Sequence, residues 1–80
     1  MSTSRPARWA KAVSVALAAL EELREMQGEY QEWRDNLPEN LEGSALAEKL
    51  DAVTELDLDS AVDALEEAES TDIPLGFGRD

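Results

Sequence analysis

Apolar residues between Pro6 and Leu37 recur at spacings that alternate between four and three: Ala12, Ala16, Ala19, Leu23, Met26, Tyr30, Trp33 and Leu37. That is a heptad seam, the pattern of a helix that buries one narrow stripe against another helix. It predicts one long helix over residues 6–37. Ser4 is placed to cap it, and Pro6 falls in the first turn, where its missing N–H costs nothing. The first half also carries Trp9, Val13, Val15, Leu17 and Leu20. That half is apolar over most of its circumference and calls for cover on more than one side. The second half keeps only the seam. Gly28 lies inside the helix at a cost of about 1 kcal/mol relative to Ala, as a bend or a close-packing point.

The residue before a proline is pushed out of helical geometry, so Pro38 stops the helix and Asn36–Asn40 reads as a turn. Leu41 is positioned to pin that turn to the seam. Ser44 opens a second helix over 44–56, with Leu46, Leu50 and Val53 as its inner stripe and Ala47 filling in. After the break at Leu56-Asp57-Leu58-Asp59, Asp57 or Asp59 caps a third helix over 58–70. Its inner stripe is Leu58, Ala61, Val62, Leu65 and Ala68. Pro74 prevents continuation, and residues 73–80 form a tail in which Gly76 and Gly78 flank Phe77. No strand pattern occurs. The expectation is an all-α fold: one helical domain over 1–72, a long N-terminal helix with two shorter helices packed on it as a small bundle, and a C-terminal tail.

Composition removes most chemistry. The 80 residues contain no Cys and no His. A disulfide, a thiolate nucleophile, a Cys-based zinc site and the commonest general base are therefore absent. Asp57-Leu58-Asp59 lacks the glycine and the twelfth-position Glu of a helix-loop-helix calcium site. An enzyme is the poorest fit, and neither cofactor nor metal is expected.

Charge is lopsided within a net −12. Arg5, Arg8 and Lys11 make the first twenty residues basic, whereas all 19 acids lie beyond them. Direct nucleic-acid binding by the acidic body is disfavoured, and attraction to a basic protein surface is favoured. Ala12–Leu20 follows basic residues as a signal peptide does, but it runs unbroken into a charged helix instead of a cleavage site. It is also shorter than the roughly 18 apolar residues of a membrane span. A cytoplasmic protein without a membrane contact is expected.

Two acidic rows are candidate partner-binding groups. Glu21, Glu22, Glu25, Glu29 and Glu32 fall mostly on one side of the first helix, and Asp59, Asp63, Glu66 and Glu67 repeat the pattern on the third. Neighbours on such a row stand about 5–6 Å apart, a pitch at which carboxylates imitate a phosphate backbone. A solvated acidic face that keeps the protein soluble is the plainer reading. Tyr30 and Trp33 read as core. Trp9 reads as packed on a partner subunit or as the shield at the end of the seam. Phe77, beside Arg79, reads as an anchor for a partner or a plug on the chain's own core. The surplus apolar surface predicts a two-fold homodimer through the seam residues Trp9, Val13, Leu23, Met26, Tyr30 and Trp33.

The run Glu29-Tyr30-Gln31-Glu32-Trp33-Arg34-Asp35-Asn36-Leu37-Pro38-Glu39-Asn40-Leu41, with Glu48-Lys49-Leu50 and the ending Pro74-Leu75-Gly76-Phe77-Gly78-Arg79-Asp80, resembles small acidic proteins of bacteriophages and other bacterial mobile elements. The resemblance runs from near Leu20 to the end. It implies a bacterial cytoplasmic setting and no particular chemistry. Three functions fit: a non-catalytic interaction protein that binds a basic surface, in its sharpest form a nucleic-acid mimic that blocks a DNA-handling or defence enzyme; a homo-oligomeric scaffolding subunit assembled through the long helix; and an antitoxin-like adaptor docking through its tail.

Overall fold

The computed structural model describes residues 4–75, and every regular element among them is helical. Helix α1 spans Arg5–Asp35, a single 3-10 turn covers Glu39–Leu41, α2 spans Ala45–Thr54 and α3 spans Leu58–Ser70. The 31 residues of α1 make a rod about 46 Å long. Its N-terminus is capped by Ser4, whose Oγ accepts the Ala7 N–H at 3.3 Å. It ends two residues earlier than the seam predicts, with Asn36 as the C-cap. Pro38 lies in extended backbone immediately after.

Gly28 is not a close-packing point of α1. A Cβ built there meets nothing within 4 Å, so no close approach requires a glycine. Gly28→Ala is therefore expected to stabilise the chain by about 1 kcal/mol, read as a rise in thermal midpoint of about 4–8 °C.

The short helices start on the predicted caps. Ser44 Oγ accepts the Ala47 N–H at 3.2 Å. Of the two candidates at the break, Asp57 is the cap of α3: its carboxylate accepts the Ser60 N–H at 3.0 Å and the Ser60 hydroxyl at 2.6 Å. The Ser60 hydroxyl first, and then its backbone N–H, hold the Asp57 carboxyl below its ordinary value of 3.8. A depressed carboxyl contributes stability above the unfolded value and loses it as pH falls through the folded value. The difference in urea midpoint between the wild type and Asp57→Ala is thus expected to be full at neutral pH and to shrink below about pH 3.8.

Helices α2 and α3 do not form a compact bundle with α1. They lie end to end and run back along it, α2 beside its C-terminal half and α3 beside its N-terminal half. The chain measures 64 × 22 × 17 Å with a radius of gyration of 19.1 Å, against about 12 Å for a compact domain of this length. Across the three-residue break at residues 55–57, α3 continues onward from α2, so each short helix packs chiefly against α1.

The core is correspondingly thin. Among the described residues the buried side chains are Val13, Leu20, Leu37, Ala47 and Leu50. Leu37, Ala47 and Leu50 form one cluster, with Tyr30, Leu41 and Leu46 half-buried around it. Leu41 thus pins the turn as the sequence predicts. Along α3 the predicted inner residues Leu58, Ala61, Val62, Leu65 and Ala68 are all half-buried.

The stripe of α1 that faces the short helices is displaced from the predicted seam. Its central row is Val13, Leu20, Gln27 and Arg34, seven apart, each buried or half-buried. That row lies one residue beyond Ala12, Ala19, Met26 and Trp33, all of which are exposed. Its lower half is polar, and the polar side chains grip α2. Gln27 Nε2 donates to the carbonyls of Val53 and Leu56, both at 2.9 Å. Arg34 donates from Nε to Asp51 Oδ1 at 2.7 Å and from Nη1 to Glu42 Oε2 at 2.8 Å. Near the other end the Trp9 indole N–H donates to the Ala68 carbonyl at 2.8 Å. Trp9 therefore tethers the last turn of α3.

Candidate interaction surface

Displacing the seam leaves a second apolar row on the outside of α1. Its exposed members are Ala12, Val15, Ala19, Leu23, Met26 and Trp33, with half-buried Ala16 and Tyr30 along one edge. Val15 is 61 % exposed, Leu23 52 % and Trp33 49 %. The expectation that Tyr30 and Trp33 are core holds only in part. Tyr30 touches the Leu37 cluster, whereas Trp33 stacks on Tyr30 at a centroid distance of 6.2 Å and faces water with its other side. Of the predicted seam, Val13 is buried in the chain's own core and Trp9, Leu23 and Met26 are exposed. Sequence periodicity finds this row, because it is the only unbroken apolar heptad on α1. It places the stripe that packs on α2 and α3 one residue away from where it lies, because Gln27 and Arg34 disguise the row that does the folding.

Leu23, Met26 and Tyr30 of this row, with Val53, Leu56 and Leu58 from the joint between α2 and α3, line a shallow apolar hollow of about 120 Å³. Leu56 is 58 % exposed. Large exposed apolar side chains gathered at one place mark a surface meant to be covered.

Charge borders this row on its far side from the short helices. Helical spacing sets Arg8 and Lys11, then Val15 and Ala18, then Glu22, Glu25, Glu29 and Glu32 along one edge. The four carboxylates are exposed. Among the described residues none of them is bridged to a cation, and neither Arg8 nor Lys11 is bridged to an acid. On α3, Asp63, Glu66 and Glu67 are exposed, while Asp59 pairs with Arg24 at 2.9 Å. Arg24 thus removes Asp59 from the open row. Phe77 and Arg79 lie outside the described residues. No group of acidic side chains among the described residues is arranged to hold a metal ion, and no helix there is long and apolar enough to cross a membrane.

Compared with known protein families, curated proteins and solved structures, the chain matches none.

Proposed function

We propose that the chain is a non-catalytic interaction protein that docks on a basic protein surface. The observation that supports this reading is the edge of four exposed carboxylates at Glu22, Glu25, Glu29 and Glu32, unbridged among the described residues, on one continuous helix, with Asp63 and Glu66 adding negative surface along α3. A rigid helix presents such groups with little ordering to pay for on binding. The sharper form of the reading is a nucleic-acid mimic that occupies the channel of a bacterial DNA-handling or defence enzyme. The resemblance to phage and mobile-element proteins supplies that setting.

Capture from a bacterial lysate, at low and at high salt and with duplex DNA as competitor, tests it. The affinity is expected to fall roughly tenfold or more with added salt and to be lost on joint reversal of the four glutamates to Lys. Binding that survives the reversal sinks the reading. A second reading, a structural subunit that self-assembles through α1, is supported by the exposed apolar row beside the acids.

A further inference from the structure

We propose that the exposed row of α1 pairs with the same row of a second copy, the two helices running antiparallel about a two-fold axis level with Glu21. The proposal rests on the self-assembly reading and gives it an orientation.

Two observations carry it. The first is surface. The chain exposes 6418 Å², whereas a compact protein of 8.8 kDa exposes about 4,800 Å². The excess, about 1,600 Å² per chain, is about twice the roughly 800 Å² that a standard interface removes from each partner, so the chain has surface to spare for one.

The second is volume. Along the row the small residues Ala12, Ala16 and Ala19 fill one half, and the large residues Leu23, Met26 and Tyr30 fill the other. Antiparallel pairing about Glu21 sets Ala19 against Leu23, Ala16 against Met26 and Ala12 against Tyr30, and closes each end with Trp9 against Trp33. Every internal layer then joins one small and one large side chain, the alternation that lets two surfaces interdigitate. The hollow at the joint of α2 and α3 comes to lie opposite Val15 and Ala16 of the other copy. Parallel pairing in register would set alanine on alanine in one half, leaving gaps, and ring on ring in the other.

The chain has no Cys, so single labels are simple to place. Spin labels on Ser14→Cys and, separately, on Asp35→Cys, both exposed and on the side of α1 away from the row, read the orientation in the full-length chain. At about 1.5 Å of rise per residue, antiparallel pairing offsets the two Ser14 labels along the axis by about 21 Å and the two Asp35 labels by about 42 Å. The Asp35 distance is expected to be the longer by roughly 15 Å. Equal distances at both positions would overturn the orientation while leaving self-assembly standing. A chain that sediments as a monomer and shows no dipolar coupling would overturn both.

Discussion

Leu50→Ala is expected to remove close to half of the stability of this chain, about 2–5 kcal/mol. Leu50 is 2 % exposed and sits at the centre of the only buried cluster among the described residues, between Leu37 and Ala47. Truncating it deletes buried methyl groups and opens a cavity that two facing helices cannot collapse to fill. In a thick core such a loss is a fraction of the total. Here a domain of this size has roughly 4–12 kcal/mol in all, and few other buried contacts hold α2 in place. Gln27 and Arg34 hold the C-terminal half of α2 by hydrogen bonds, but such bonds contribute only about 1 kcal/mol each in net terms. Urea unfolding followed by circular dichroism, at one fixed protein concentration, checks it. Leu56→Ala, at a site 58 % exposed, is the comparison and is expected to move the monomer's stability by about 0.5 kcal/mol or less. Equal effects at the two sites would mean that the Leu37–Leu50 cluster is not what holds α2 down.

Local signals were strong enough to place the helices. Ser4, Ser44 and Asp57 each begin a helix because a short oxygen-bearing side chain satisfies a backbone N–H of the first turn, and that chemistry is visible in three or four consecutive residues. Pro38 is equally plain. What periodicity did not reveal is which stripe of α1 faces inward. A search for apolar rows finds Ala12–Ala19–Met26–Trp33 and passes over Val13–Leu20–Gln27–Arg34. Gln27 and Arg34 fold the chain by reaching carbonyls and carboxylates on α2, and such partners are unknown until the helices are docked. The apolar row found by periodicity therefore lies one residue away from the stripe that packs on α2 and α3.

The extended shape was hidden for a related reason. Counting helices predicts a bundle, but a three-residue break such as residues 55–57 serves a helix hairpin and an end-to-end arrangement alike. The choice between them is made by where α1 offers partners, which the local sequence of the break does not encode. The acidic edge of α1, by contrast, was legible outright: Glu22, Glu25, Glu29 and Glu32 share a side by spacing alone, and all four are exposed. Asp59 was legible as an acid and not as a partner of Arg24, because that pairing needs the register between α1 and α3.

Leu23→Glu separates the fold of one chain from its assembly more sharply than any other single change. Leu23 is 52 % exposed, so a monomer tolerates a charge there, and its thermal midpoint at low concentration is expected to shift by about 1 kcal/mol or less. In the antiparallel pair Leu23 lies in the layers next to the two-fold axis, opposite Ala19. Both copies of the new carboxylate then enter the most enclosed part of the interface, close to each other and to Glu22. Taking unpaired charges out of water is costly, and the two-fold doubles the cost. The dimer is expected to weaken by roughly 100-fold, about 2.8 kcal/mol, measured by sedimentation over a concentration series. Leu23→Ala in parallel isolates the part due to lost apolar contact, which is expected to be the smaller. Should Leu23→Glu leave the association unchanged, the exposed row of α1 is not where two copies meet.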